Sequence, residues 1–205
     1  MKQLILATAS PRRIELLERL HVVFCAEKSS FAEPAYAAPQ LPEQYVMQNA
    51  HGKARDVAER YNHALVIGAD TVVVQQNSVL GKPASREEAI KFLRSLSGRR
   101  HTVYTGVSVI DTETTTTLSE CEQTEVIFRD LTDREINAYL GCINPMDKAG
   151  AYAIQGAGAL IVAGIKGCYY NVVGFPLARL EQMLLKMGAS LFAYTDTPDN
   201  GAAGV

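Results

Sequence analysis

The amino-terminal segment predicts a strand that leads directly into a helix, and this order restricts the fold more than any other feature of the sequence. Residues 4–9 form a largely apolar run of strand length. Ser10 suits a helix N-cap, and Pro11 suits the first helical position. Apolar residues then recur at helical spacing, at Ile14, Leu16, Leu17 and Leu20. Such a strand–turn–helix unit is a building block of α/β proteins.

The rest of the chain alternates between apolar runs and helical patterns, with a hairpin-like middle. Strands are predicted at residues 64–69 with a continuation at 72–74, at 101–110, near 124–128, and on either side of 156–158. Helices are predicted at 45–61, at 85–98 and after 132, where capping boxes begin, and at 176–188. We therefore expect an α/β fold with a mixed twisted sheet, flanking helices and two lobes around a central cleft. The sequence predicts one domain over residues 1–192 and a flexible tail over 193–205.

Charge and composition argue against several classes of protein. The chain has 20 Lys and Arg against 22 Asp and Glu, which gives a net charge of −2. Proteins that coat nucleic acid normally have a strong excess of basic residues. No run approaches the roughly 20 apolar residues of a membrane span, and the apolar start is too short for a secretory signal. The scattered cysteines indicate free thiols in a reducing compartment, so a cytoplasmic protein without nucleic-acid or membrane partners is predicted.

Several common catalytic motifs are missing from the sequence. It contains no P-loop, no G-x-S-x-G motif and no clustering of its 4 histidines at metal-binding spacing. A metal would therefore be held by carboxylates, which favours Mg²⁺ or Mn²⁺.

Three charged residues stand where a helix or an apolar strand disfavours them. Arg12 and Arg13 fall in the first turn of the first predicted helix, where the helix dipole favours acids. Together with the helix start they can bind a phosphate chain; the alternative is that both side chains point into solvent. Asp70 ends the apolar run ALVIGAD, which indicates either a ligand- or metal-binding carboxylate or an acid that caps a loop.

Three further polar residues lie in segments rich in small residues. Lys82 follows Gly81, and Lys148 precedes Ala149, and each can meet a ligand or remain solvated. Gln155 precedes a glycine-rich turn, where its amide can recognise a base edge through one donor and one acceptor. The alternative is that Gln155 is only part of a hairpin turn.

Together these motifs resemble the Maf family of nucleoside triphosphate pyrophosphatases. The matching segments, in the family's order, are LILATASPRRIELL, HGKAR, GADTVV, LGKP, TEVIFRDLTDREI, DKAGAYAIQGAG and YYNVVGFPL. The resemblance implies an inosine-triphosphatase-like fold and metal-dependent hydrolysis of a nucleoside triphosphate to the monophosphate and pyrophosphate. It is strongest to the branch that prefers dTTP and UTP; the alternatives are 7-methyl-GTP or another nucleotide, or a non-catalytic nucleotide-binding regulator of septum formation. A homodimer is also implied.

The resemblance further implies roles for individual residues. Asp70 is the proton acceptor, and base preference falls to Arg12, Thr71 and Gln155. The residues implied to bind phosphate are Ser10, Arg13, Lys53, Lys82 and Lys148. The residues implied to bind a divalent cation, Mg²⁺ or Mn²⁺, are Glu33, Asp70 and Asp147. The chain departs from the family pattern at Ala32, at Asn144 and at Cys168, where acids are usual.

Overall fold

The computed structural model describes residues 1–76 and 78–196, which form a mixed sheet flanked by helices. The strands are β1 Gln3–Ala7, β2 Cys25–Glu27, β3 Ala64–Gln75, β4 Ser78–Leu80, β5 Arg100–Asp111, β6 Thr117–Phe128 and β7 Val162–Lys166. Their order is β2-β1-β3-β5-β6-β7, with β4 paired to β3. β1 is parallel to both neighbours, whereas the pairs from β3 to β7 are antiparallel, so the predicted mixed α/β class is confirmed.

Six helices in the described ranges surround this sheet. They are α1 Pro11–Glu18, α2 Pro42–Ala58, α3 Arg86–Leu96, α4 Asp133–Cys142, α5 Tyr169–Val173 and α6 Leu177–Lys186. α2 begins at Pro42 rather than at Tyr45, because Leu41 has the extended backbone of an N-cap and proline suits the first turn. Within the described ranges, none of these helices is long and apolar enough to cross a membrane.

The two predicted capping boxes differ in the structure. Thr132 and Glu135 make both reciprocal bonds at the start of α4. At α3 the Ser85 hydroxyl accepts from the Glu88 N–H, but the Glu88 carboxylate accepts from the Ala84 N–H instead. Only half of that box therefore forms.

The predicted end of a strand at Asp70 is wrong. β3 runs without a break from Ala64 to Gln75, because Asp70 and Thr71 stay paired with Gly106 and Thr105 of β5. A carboxylate in a mostly apolar sequence suggests a strand end, but pairing with a distant strand carries the extended backbone through it. Asp70 therefore does not cap a loop.

The strand predicted before residue 156 is also wrong. The backbone N–H of Ala153 donates to the Tyr139 hydroxyl at 3.1 Å, and the same hydroxyl donates to the Ala153 carbonyl at 3.3 Å. The tyrosine thus takes the place of a strand partner. A 3₁₀ helix, Gly156–Leu160, follows, and of the two predicted strands only the second, β7, is present among the described residues.

The predicted tail over 193–205 is wrong for its first residues. Tyr194 is buried, its carbonyl accepts from the Val23 N–H at 2.7 Å, and Thr195 bridges to Val22. The short 3₁₀ helix Leu191–Tyr194 and the residues after it therefore pack beside the end of α1, because a buried tyrosine anchors a polar sequence. Residues 197–205 lie outside the described part of the chain.

Both faces of β3 change from one hydrophobic cluster to another near Asp70. On one face Ile67 and Ala69 pack in a cluster with α1 and α6, whereas Val73 packs in a second cluster with α3 and α4. On the opposite face Val66 and Val72 belong to two further clusters, both packed against α2. Polar side chains occupy the gaps between these clusters, and the candidate site is built there.

Candidate active site

Asp70 lies at the point where β1 stops covering β3. The last residue pair between these parallel strands is Ala7 with Gly68, so Asp70 lies beyond it on that side. On the other side Asp70 stays paired with Gly106. The chain turns from β1 into α1 here, and the carboxyl ends of parallel strands form the usual ligand crevice of α/β sheets.

Helix α2 approaches the sheet closely because glycines lie beneath it. A methyl group on Gly68 would lie 2.2 Å from the carbonyl oxygen of Ala50, and one on Gly106 would lie 2.4 Å from that of Val46. The helix backbone therefore rests on positions that have no side chain. This close approach brings one face of α2 to the carboxylate of Asp70.

Two side chains from that face hold both carboxylate oxygens of Asp70. Lys53 Nζ donates to Oδ1 at 2.7 Å, and Asn49 Nδ2 donates to Oδ2 at 2.9 Å. The two residues are four apart, so they project side by side from neighbouring turns. Asp70 and Asn49 are buried and Lys53 is partly buried, so water screens this ion pair less than a surface pair.

Glu33 reaches the same lysine from the loop before α2. Its Oε1 lies 2.8 Å from Lys53 Nζ. A methyl group on Gly52 would lie 2.4 Å from the ring of Phe31, so the ring of this loop residue packs directly on α2 where residue 52 lacks a side chain. Asp56 also holds the loop, since its carboxylate accepts from the Ser30 N–H at 2.8 Å.

Arg13 joins three elements on the opposite face of β3. Its Nη1 donates to the Ala69 carbonyl at 2.8 Å, its Nη2 to Thr71 Oγ1 at 3.0 Å, and its Nε to the Gly174 carbonyl at 2.8 Å. Burial lowers the pKa of the Arg13 guanidinium, and the negative charge of Asp70 opposes that shift. Arg13 therefore ties α1 to β3 and to the end of α5, and the alternative that it points into solvent is wrong.

Arg12 and Asp147 form a bridge across an exposed part of the site. Arg12 Nη1 donates to Asp147 Oδ2 at 3.1 Å, and Lys148 Nζ donates to Oδ1 at 2.7 Å. Burial raises the pKa of Asp147, but the hydrogen bond from Lys148 and the charges of both cations outweigh it and lower that pKa. The loop of Lys82 is joined to this segment, because the Gly150 N–H donates to the Gly81 carbonyl at 3.0 Å.

One cleft of about 600 Å³ is lined by all the residues for which the sequence predicts a role. They are Ser10, Arg12, Arg13, Glu33, Lys53, Asp70, Thr71, Lys82, Asp147, Lys148 and Gln155. The Ser10 hydroxyl makes no capping bond to α1, and Gln155 precedes a 3₁₀ helix rather than a hairpin turn. The structure brings these side chains together, and their individual roles stay predictions.

Two buried polar residues behind the cleft were not predicted. Asn49 had one signal in the sequence, an amide four residues before Lys53 on an otherwise apolar helix face. His101 had none, because its partner is distant in sequence: its Nε2 lies 2.7 Å from the hydroxyl of Tyr152, which lines the cleft. Burial lowers the pKa of His101 to about 4, so the imidazole is neutral at pH 7.

The carboxylates predicted to bind a divalent cation do not form a closed metal cage. Among the described residues no group of three or more His, Cys, Asp and Glu side chains is placed to hold a metal. Mg²⁺ usually takes one or two carboxylates together with waters and substrate phosphates. Glu33 and Asp70, which meet at Lys53, fit such a substrate-borne cation, whereas Asp147 is held by two other cations.

Comparison with known proteins gives a consistent result over nearly the whole chain. A dTTP/UTP pyrophosphatase of Geobacillus sp. is 48% identical over 188 residues, covering 92% of this chain and 100% of that protein. Proteins of the same description from Caldicellulosiruptor bescii and Dictyoglomus thermophilum are 47% and 44% identical, each covering 93% of this chain and 98% of the relative. The family model described as Maf-like protein matches residues 3–187. The chain belongs to the Maf-like protein family.

Proposed function

We propose that this chain is a nucleoside triphosphate pyrophosphatase that hydrolyses dTTP and UTP to the monophosphate and pyrophosphate. The observation that carries the proposal is the buried Asp70 carboxylate, held by Lys53 and Asn49 in a cleft that several cations line. The relatives described as dTTP/UTP pyrophosphatases support the substrate class.

The reaction requires a water to attack the α-phosphorus while the bond to the β-phosphate oxygen breaks. Asp70 accepts the proton of the attacking water, and pyrophosphate leaves with the electron pair of the broken bond. Arg13, Lys82 and Lys148 line the cleft and supply positive charge for the phosphate chain. Fixed charges of this kind stabilise the transition state without reorganising during the reaction.

A divalent cation, Mg²⁺ or Mn²⁺, completes the proposal. Glu33 and Asp70 are the side chains that would hold it together with the phosphates, and its chemistry is to neutralise phosphate charge and acidify a water. Lys53 lies between these two carboxylates and keeps them close to each other in the free protein.

We assign base selection to Gln155, Arg12 and Thr71. The Gln155 amide is half-buried in the cleft and has no hydrogen-bond partner among the described residues, so a donor and an acceptor face the ligand space. Thymine and uracil present both complementary groups on one edge. Thr71 acts differently, because its hydroxyl is already bonded to Arg13 and lies 3.0 Å from the Thr105 hydroxyl. It shapes the cleft by fixing Arg13.

A panel of nucleoside triphosphates with Mg²⁺ or Mn²⁺ tests this function. Pyrophosphate and orthophosphate are measured separately for dTTP, UTP, dCTP, ATP, GTP and 7-methyl-GTP. We expect pyrophosphate as the product, the highest kcat/KM for dTTP and UTP, and loss of turnover in EDTA that either metal restores. Orthophosphate as the main product, or a preference for 7-methyl-GTP, would contradict the proposal.

We also propose the cytoplasm as the compartment and a homodimer as the assembly. All four cysteines lie in the described ranges and are free thiols, which suits a reducing compartment. The family resemblance supports the dimer, and light scattering after size exclusion measures it. A mass near that of one chain, 22.3 kDa, would exclude it.

A further inference from the structure

Asn49 is a buried polar residue next to the reacting carboxylate that lies outside the cleft itself. Its side chain is fully buried, and it is not among the residues that line the cleft. Its Nδ2 donates to Asp70 Oδ2 at 2.9 Å, on the oxygen that Lys53 leaves free. It therefore touches the carboxylate without having access to a ligand.

The Asn49 amide in itself lowers the stability of the fold. Asn49 Oδ1 is buried and has no hydrogen-bond partner within the described part of the chain. A buried acceptor without a partner destabilises a protein, whereas an apolar side chain of similar size would not. Its neighbours on the same side of α2, Val46 and Ala50, are apolar and fully buried. Packing alone therefore favours an apolar residue at position 49.

The hydrogen bond to Asp70 compensates for that cost. An ionised carboxylate has about four lone-pair positions. Lys53 and Asn49 each occupy one, on different oxygens, so the carboxylate cannot rotate about its Cβ–Cγ bond without losing a partner. A positioned base is worth more in catalysis than a mobile one, because the proton must leave the water along a fixed direction.

We propose that Asn49 is a positioning residue that fixes the orientation of the Asp70 carboxylate for proton transfer. The inference rests on the proposed function, in which Asp70 accepts that proton. Because Asn49 lies behind Asp70, its removal affects the chemical step and leaves nucleotide binding unchanged. Its replacement by an apolar residue removes the unpartnered Oδ1 but also the bond to the buried Asp70 carboxylate, so the two effects on the stability of the fold oppose each other.

The variant Asn49→Leu tests the inference, since leucine has a similar size and suits a helix. We expect kcat for UTP to fall about 10- to 100-fold, KM to stay within about twofold, and Tm to change by only a few degrees because the two effects on stability oppose each other. A purely structural amide would give a lower Tm with wild-type kcat in the folded fraction. The matched control is Gln48→Ala, which removes an exposed amide from the same helix and leaves kcat and KM unchanged.

Asn49→Ala is a second variant, for the case that the branched leucine side chain does not fit at position 49. Alanine also removes the amide but adds no bulk. The same fall in kcat at constant KM is expected. A kcat that falls less than about fivefold in both folded variants, or a loss in kcat/KM that lies in KM, would overturn the proposal. Failure of the proposed function is seen separately, because the wild-type protein then releases no pyrophosphate from any substrate.

Discussion

The contact between α2 and β3 at Gly68 predicts a coupled loss of stability and activity in Gly68→Ala. The added methyl carbon would lie 2.2 Å from the Ala50 carbonyl oxygen and 2.8 Å from the Ala54 nitrogen, both of which are backbone atoms. Since a real Cβ contact of this type is not shorter than 3.0 Å, helix and strand must separate by about 0.8 Å. Neither atom belongs to a flexible side chain that could turn away.

The size of both effects follows from that shift. Overpacking of this kind costs about 1–3 kcal/mol, which for a chain of this length lowers Tm by roughly 2–12 °C. Lys53 and Asn49 move with α2, so their bonds of 2.7 and 2.9 Å to Asp70 lengthen to about 3.5 and about 3.7 Å, beyond good hydrogen-bond geometry. A displacement near 1 Å at a catalytic group can cost about 100-fold in rate.

The assay compares pyrophosphate release and thermal unfolding for Gly68→Ala and a control glycine. Gly141 is exposed on α4, and a methyl group there meets nothing within 4 Å. Gly141→Ala should keep kcat unchanged and raise stability by up to about 1 kcal/mol, because alanine favours a helix. Wild-type kcat in folded Gly68→Ala would show that the close approach of α2 does not position the site.

Three further substitutions probe other parts of the site. Asp70→Asn should lower kcat by about 10²- to 10⁴-fold with a native circular dichroism spectrum, and near-normal pyrophosphate release would exclude Asp70 as the proton acceptor. Gln155→Ala should reduce the kcat/KM preference for UTP over other nucleotides by about tenfold, because the base edge loses its partner; an unchanged ranking would make Gln155 a structural residue only. Burial lowers the pKa of His101 from 6.5 to about 4. The unfolded chain therefore binds more protons between these values, and stability should fall by up to about 3 kcal/mol as pH drops from 6.5 to 4. Denaturant unfolding of His101→Phe should lack that component, and an equal pH dependence in the variant would contradict the assignment.

Local signals in the sequence predicted the elements whose ends are set by neighbouring residues. The start of α1 follows from Pro11, whose fixed φ suits the first helical turn after an extended Ser10, and the start of α4 follows from the capping box of Thr132 and Glu135. Both signals lie within a few residues of the helix start. The strand before residue 156 failed for the opposite reason. Its backbone groups are satisfied by Tyr139, a contact that no local pattern encodes.

The composition of the site could be predicted from motifs, whereas its internal contacts could not. Arg13 and Asp70 stand out as charges in positions that disfavour them. The sequence does not show that Arg13 donates three hydrogen bonds to protein oxygens, because Ala69 and Gly174 lie next to it only in the tertiary fold. The role of Gly68 was equally hidden, since a glycine in a strand shows a close approach only once the helix above it is known.

The arrangement of charge in the cleft also explains how a chain with a net charge of −2 can bind a polyphosphate. Lys53 pairs with both Glu33 and Asp70, which leaves that group one negative charge, whereas Arg12 and Lys148 both pair with Asp147, which leaves that group one positive charge. Lys82 has no carboxylate partner among the described residues and lines the same cleft. A triphosphate keeps a net negative charge even with bound Mg²⁺, so it is drawn to Lys82 and to the positively charged group around Asp147. Asp70 and Glu33 are therefore left for catalysis and cation binding, while Lys82 and the basic residues around Asp147 bind the phosphate chain.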